Sequence, residues 1–156
     1  MCHSRSARVY GLLVCVGLVV LLTPGDAAAQ TAEITRMIGG VTHRSGTSGN
    51  FVTSRTGTKL PVGSSVRTDA SGRAEVTFPN GGVVRVSERT DLVLVSGSNA
   101  QVSRGQIYAR VVSGTAVQIS GPTATVAVRG TTLELTVADD DTTTLTVGRG
   151  ELKFFN

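Results

Sequence analysis

The chain has 156 residues, a formal net charge of +4 and only 4% aromatic residues. The weak, scattered positive charge argues against a nucleic-acid surface, which needs clustered Lys and Arg and usually aromatic stacking residues. Both cysteines, Cys2 and Cys15, stand near the start of the sequence, so we expect neither disulfides nor cysteine-bound metals in the rest of the chain.

The first 29 residues have the layout of an export signal. Arg5 and Arg8 precede an apolar run over residues 10–22, and helix breakers and alanines follow at 24–29. As a helix the run would be about 20 Å long, short of the roughly 30 Å hydrocarbon core of a bilayer. We therefore predict a signal peptide over residues 1–29 and a periplasmic or extracellular location, with an uncleaved anchor as the alternative.

The remaining residues, 30–156, are enough for a single domain with its own core. They show no sustained helical period, and short runs of alternating apolar and polar residues recur instead. Turn sequences such as PNGG at 79–82 separate the runs at intervals of roughly 8 to 12 residues. This pattern predicts an all-β domain of short strands, a β-roll or solenoid, with a β-sandwich as the alternative. The predicted inward-facing residues are Ala74, Val76, Phe78, Val84, Val86, Leu92, Leu94, Ile107, Ala109, Val111, Val117, Ile119, Leu145 and Val147.

Segment 42–57 is rich in Ser, Thr, Gly and Arg, and its apolar residues are Phe51 and Val52. A polar stretch of this length predicts a long surface loop. It contains His43, the single histidine after residue 30, so a multi-histidine metal site is not expected. Any Ser-His-Asp triad would have to be built in this loop.

The carboxylates also give little support for catalysis. A glycosidase needs two acids at a set separation in a cleft, and nothing in the sequence brings two of the candidates together. We therefore expect no catalytic residue and no cofactor, and a secreted hydrolase is the least favoured hypothesis. The carboxylates considered are Glu75, Glu88, Glu134 and Glu151.

The sequence VSRGQI at 102–107 resembles VGRGEL at 147–152. We interpret each copy as a strand end, a polar turn containing Arg-Gly, and the start of a new strand. Stacked coils would explain such a repeat, and a β-sandwich is the alternative.

The sequence ATVAVRGTTLELTV at 124–137 contains two strand-like halves whose apolar registers differ by one residue. Apolar side chains fall on even positions up to Val128 and on odd positions from Leu133. Gly130 stands at the changeover, and a glycine inside a strand marks a bulge that re-aims the side chains after it. We predict a bulge or sharp bend at Gly130.

Three consecutive aspartates, Asp139, Asp140 and Asp141, follow this segment. Calcium prefers several converging carboxylates, but three successive residues of an extended or turning chain point in different directions. We therefore predict a solvated hairpin tip between Val137 and Leu145, and no metal site.

Several arginines fall on polar-facing strand positions or in turns. Gathered on one face, they could hold an anionic polysaccharide or an acidic partner through bidentate contacts. The alternative is an ordinary solvated sheet face. The arginines are Arg85, Arg89, Arg104, Arg110, Arg129 and Arg149, of which Arg85, Arg110 and Arg129 are the candidate partner-binding residues.

Six segments together resemble the FecR domain, an extracytoplasmic module of iron-transport signal regulators and of many secreted bacterial proteins. The resemblance covers about residues 34–155 and implies a β-rich periplasmic or surface domain without known catalytic residues. The segments are GGV (39–41), LPVGSSVRT (60–68), GRAEVTFPNGGVVRVSERTDLVL (72–94), VSRGQIYARV (102–111), VAVRGTTLELTV (126–137) and LTVGRGEL (145–152). Their structural signature residues are Gly81, Gly105, Gly130, Thr131 and Gly150.

The export signal, the absence of a catalytic constellation and this resemblance together lead us to expect an exported, non-enzymatic module that binds an envelope protein or a cell-surface polysaccharide. The alternative is a component of signal transduction in iron or metal uptake. Regulators of this family place a cytoplasmic anti-sigma segment and a membrane helix before the module. Here an export signal stands there, so we expect no direct contact with a sigma factor and no membrane span after signal cleavage.

Overall fold

The computed structural model describes the chain from residue 31 to residue 155, with side chains to residue 148, and the predicted signal peptide lies outside this part. The described chain forms twelve strands and no helix, and thus no helix able to cross a membrane. In chain order the strands are β1 (Ala32–Ile38), β2 (Val41–Arg44), β3 (Val52–Thr53), β4 (Lys59–Leu60), β5 (Ser65–Thr68), β6 (Arg73–Thr77), β7 (Val83–Val86), β8 (Asp91–Ser96), β9 (Asn99–Arg110), β10 (Ala116–Ser120), β11 (Thr125–Val137) and β12 (Thr143–Phe155).

All twelve strands belong to one sheet, which curls strongly into a half-barrel. Its main path runs β3-β2-β5-β8-β9-β7-β6-β1-β4, and β10, β11 and β12 join it through β9. Neighbours are antiparallel except β9 and β10, which pair in parallel over three residues. The all-β prediction is confirmed, and the strands form a single curled sheet instead of two separate ones.

The inside of the curl is the hydrophobic core. Strand alternation sends every second side chain there, so that Ile34, Val76 and Leu135 are fully buried. The predicted inward-facing residues are buried with two exceptions: Leu145 is only partly buried, and Val147 is 41% exposed. Both exceptions lie on β12, which pairs only with β11 among the described strands, so fewer neighbours cover it.

The two long strands β9 and β11 bend at glycines and change partners there. Before Gly105, β9 pairs with β8 and β10, and from Gly105 onward it pairs with β7 and β11. Before Gly130, β11 pairs with β10, and after it with β9. Both glycines have positive φ, +93° and +60°, and the register against β12 shifts between Arg129 and Leu133. The predicted bulge at Gly130 is confirmed.

The interpretation of the two Arg-Gly segments as turns was wrong. Residues 102–107 lie inside β9 and residues 147–152 inside β12. At Gly105 the chain bends without turning back, because new neighbours take over the backbone hydrogen bonds on both sides of the strand.

The polar segment 42–57 contains more structure than a single loop, because residues 42–44 belong to β2 and residues 52–53 form β3. The aspartate segment is the tip of the β11–β12 hairpin, as predicted. At this tip the backbone N–H of Thr142 donates to Asp140 Oδ1 over 3.0 Å, and that hydrogen bond lowers the pKa of Asp140.

Candidate functional site

Side chains on the outer face of the sheet form a row across neighbouring strands. The register places Arg36 of β1 opposite Glu75 of β6, and Glu75 opposite Arg85 of β7. Arg85 lies opposite Tyr108 of β9, which in turn lies opposite Glu134 of β11. Because the residues on either side of Tyr108 enter the core, this row faces outward, with directly opposite Cβ atoms about 5 Å apart.

Glu75 is the shared anion of this row. Its carboxylate lies 3.0 Å from Arg85 Nε and 4.0 Å from Arg36 Nε, and Thr35 Oγ1 donates to it over 3.3 Å. The Glu75 side chain is 18% exposed, whereas those of Arg85 and Arg36 are 60% and 82% exposed. Each guanidinium carries five N–H donors, so one carboxylate leaves most donors of the two arginines directed to solvent.

A groove of about 550 Å³ runs beside the row, and Tyr108, Arg36 and Arg85 line it. A smaller hollow of about 180 Å³ continues it toward Arg110. Both share Arg36, Glu75, Arg85 and Tyr108, so we treat them as one feature, the outer groove. Its charged lining residues are Arg36, Arg73, Glu75, Arg85, Glu88 and Arg110.

The two ends of the outer groove differ in electrostatics. At one end Arg73 Nη2 and Nε donate to Glu88 Oε1 over 2.5 and 2.9 Å. This hydrogen bonding from Arg73 lowers the pKa of Glu88. At the other end Arg110 lies opposite Val83 and Thr132, and it has no ion pair among the residues whose side chains are described. The Arg110 end therefore has the stronger attraction for an anion.

A second arginine cluster, on β5, β8 and β9, is in contact with an aspartate and a phenylalanine of the same chain. Asp91 accepts from Arg67 over 2.7 Å and from Arg104 over 3.2 Å. The Arg67 guanidinium also lies 4.4 Å from the centroid of the Phe51 ring, a cation–π contact. Asp91 and the Phe51 ring already contact these guanidiniums, whereas Arg110 of the outer groove has no ion pair among the described side chains, so the outer groove is the better candidate site.

The FecR protein family matches residues 64–153, more than half of the chain. The chain belongs to the FecR protein family. No curated protein and no solved structure matches it. The matched region holds both glycine bends and the outer-groove residues from Arg73 to Arg110, whereas Arg36 on β1 precedes it. FecR domains are generally non-catalytic.

The structure brings two of the three arginines predicted for this FecR domain together. Arg85 and Arg110 line the same part of the outer groove. Arg129 is exposed at the Gly130 bend, where it pairs with Ala116 of β10 and with β12, and it does not line the groove.

The signature residues of the FecR domain have structural roles in the backbone, at turns, bends and strands. Gly81, with φ +84°, closes the turn between β6 and β7 by donating its N–H to Phe78 O over 2.9 Å. Thr131 is buried beside Gly130, and its hydroxyl donates to Arg129 O over 2.9 Å. Gly150 lies in β12.

The groove also contains residues that the sequence did not single out, Arg36, Arg73 and Tyr108. An outward direction for Tyr108 follows from the inward alternation of Ile107 and Ala109 on either side of it. What the sequence lacks is the order of strands that sets these residues beside Arg85.

His43, the candidate for nucleophilic catalysis, lies on β2, where its Nδ1 is 3.1 Å from Ser54 Oγ. Within the part of the chain that the structure describes, no group of three or more His, Cys, Asp or Glu side chains is placed to hold a metal ion.

Proposed function

We propose that this FecR domain is an exported, non-enzymatic module of the bacterial envelope that binds an acidic partner, a protein or a surface glycan, through the outer groove. The observation that carries the proposal is the open arginine cluster around one shared carboxylate, Glu75. Arg36, Arg85 and Arg110 stand there with exposed guanidiniums, and bidentate pairing with carboxylates is the interaction that such groups favour.

The chemistry of the groove supports binding over catalysis. A general acid at neutral pH needs a raised pKa, whereas hydrogen bonding from Arg73 lowers that of Glu88. Glu75 is held by Arg85 and by the Thr35 hydroxyl, so it is fixed in place as a counter-ion.

Export is the second part of the proposal, and it rests on the sequence of residues 1–29. The order of basic residues, apolar run and alanines is that of a cleavable signal. A fusion of a periplasm-active reporter to the C terminus of the chain would test it. We expect reporter activity outside the cytoplasm, and its loss when the apolar run is interrupted by two arginines.

Binding is tested by crosslinking the tagged, exported chain in intact cells. We expect specific envelope crosslinks that disappear in the R85Q/R110Q double variant. The matched control is R55Q/R129Q, which removes the same charge from two exposed positions outside the groove. Equal crosslinking by both double variants would refute the groove as the binding site.

Membership of the FecR family favours a second candidate function, participation in iron- or metal-uptake signalling. Deletion of the gene would then change iron-responsive transcription, and the R85Q/R110Q variant would fail to restore it. Unchanged transcription in the deletion strain would remove this candidate and leave the binding proposal standing.

A further inference from the structure

We infer that the ligand of the outer groove is an acidic polysaccharide, a sugar chain with carboxylate groups. The inference rests on the proposed function, because it names the partner of the same site. Four features of the groove carry it: its charge, its composition, the exposed ring of Tyr108 and its position across the strands.

The charge of the groove selects an anionic ligand. Four arginines and two glutamates line it. Both glutamates are engaged by arginine, Glu75 by Arg85 and Glu88 by Arg73, and Arg110 has no ion pair among the described side chains. A carboxylate of the ligand entering at Arg110 would therefore gain a bidentate partner without displacing an ion pair of the protein.

The composition of the groove argues against a protein as the partner. The buried centre of a protein–protein interface is depleted of charged residues and enriched in apolar and aromatic ones. Six charged side chains line the outer groove, and most apolar residues of these strands are turned into the core, although Ile38 of β1, which also lines the groove, is 62% exposed. Such a lining suits a ligand whose surface is mainly hydroxyl and carboxylate groups. Both accept hydrogen bonds from arginine, and the hydroxyl groups also donate to the side-chain oxygens of Glu75 and Gln106.

Tyr108 provides the aromatic surface that a sugar ring needs. It is 37% exposed and lies between Arg85 and Glu134 on the outer face. A tyrosine ring offers an apolar face to the C–H groups of a sugar, and its hydroxyl remains a hydrogen-bond partner. Tyr108 therefore sits where a sugar can stack while its carboxylate contacts Arg110.

The extent of the groove fits a chain-like ligand. Its lining residues lie on β1, β6, β7 and β9, which are neighbours in the sheet, and three strand spacings give a width of about 14 Å across these strands. A polymer can cross this open face and continue beyond both ends, with a carboxylate held at Arg110 and sugar hydroxyls held near Glu75.

The inference is tested with the exported full chain and four polymers at low salt: polygalacturonate, neutral dextran, dextran sulfate and polyglutamate. We expect polygalacturonate to bind more tightly than polyglutamate or dextran sulfate, and dextran not to bind. R110Q should weaken binding by about tenfold or more, the effect of losing a charge-assisted hydrogen bond. Y108A should weaken it by about fivefold, and Y108F, which keeps the ring and loses only the hydroxyl, should weaken it less. The R55Q control, outside the groove, should bind like the unaltered protein.

The outcomes separate this inference from the proposed function. If polyglutamate binds as tightly as polygalacturonate and Y108A has no effect, the groove recognises charge alone and the polysaccharide inference fails. It also fails if no polymer binds while envelope crosslinking still depends on Arg85 and Arg110, and the proposed function then survives. If neither polymer binding nor crosslinking depends on these arginines, both the polysaccharide inference and the proposed function are refuted.

Discussion

The sheet bends at two glycines, Gly105 in β9 and Gly130 in β11. At each of them the strand changes its pairing partners. Their surroundings differ. A Cβ atom at Gly105 would lie 2.3 Å from Thr90 Oγ1, 2.6 Å from Thr90 Cα and 2.7 Å from Arg89 O. At Gly130 the nearest atom would be Ser113 Oγ at 3.4 Å, an ordinary contact.

This difference shows that glycine is needed at the two positions for different physical reasons. Gly105 is required both by its φ of +93° and by the backbone of the β7–β8 connection, which passes directly against it. Gly130 is required by its φ of +60° alone, in the left-handed region that a few other residues tolerate. One bend is therefore crowded and the other is open, and substitutions should separate them.

The largest effect is expected for Gly105→Ala. Positive φ costs about 1–3 kcal/mol for a residue with a Cβ, and overpacking against fixed backbone adds a similar amount. The two together would lower the free energy of unfolding by about 4 kcal/mol and Tm by more than about 10 °C. Thermal unfolding followed by circular dichroism measures this. A loss no larger than that of Gly130→Ala would show that the crowding at Gly105 is without consequence.

Gly130→Val should be the next most damaging change. The site has room for a side chain, so only backbone strain counts, and a branched residue in the left-handed region costs about 2 kcal/mol. Gly130→Asn is the matched control, because asparagine tolerates positive φ and should recover most of the loss. An unchanged Tm for Gly130→Val would contradict the bulge.

The Gly130 bend was predictable from the sequence, whereas the form of the Gly105 bend was not. At both glycines the inward-facing positions change from even to odd, from Val128 to Leu133 and from Val102 to Ile107. The change at Gly130 lies within a continuous strand-like pattern. The change at Gly105 is surrounded by Ser103, Arg104 and Gln106, whose polar side chains suggest a turn. Whether the chain turns or continues there depends on β7 and β11, which come from distant parts of the sequence.

The residues of the outer groove were likewise only partly predictable from the sequence. Alternation predicts that Arg85 and Arg110 face outward, and the structure places them together. Arg36 could not be assigned to the site, because it reaches Arg85 only through the strand order β7-β6-β1. Its own strand also carries a register shift between Ile34 and Arg36. Arg129 has an equally polar position but belongs to another part of the sheet.

A smaller effect is expected for Thr90→Val, which tests the contact that crowds Gly105. The buried Thr90 Oγ1 accepts from the backbone N–H of Gln106 over 3.0 Å and lies 3.0 Å from the Glu88 carbonyl oxygen. Valine has nearly the same shape but leaves the Gln106 N–H unsatisfied, at a cost of about 1.5 kcal/mol. Thr90→Ser keeps the hydroxyl and should retain protection of the Gln106 amide in hydrogen exchange. Loss of this protection in both variants would contradict a role for the hydroxyl.

The smallest effect is a pH dependence expected at the Gly105 bend. Asp69 and Glu88 both line the hollow beside Gly105. The pKa of Asp69 lies below its ordinary 3.8 because the Ser71 backbone N–H donates to it, and that of Glu88 lies below its ordinary 4.5 because of Arg73. A lowered pKa in the folded state stabilises the fold at higher pH, and the contribution is lost as the pH falls through the lowered value.

Tm should therefore stay level from about pH 7 to pH 5 and fall below about pH 4.5. The amide of Gln106, at the Gly105 bend, should lose protection in acid before the amide of Val111, which donates to Thr131 O beside Gly130. The Asp69→Asn and Glu88→Gln double variant lacks these two titrating groups and should show a flatter decline in Tm. If both amides lose protection together in the unaltered chain, the two bends open as one unit, and their difference in crowding does not extend to stability in acid.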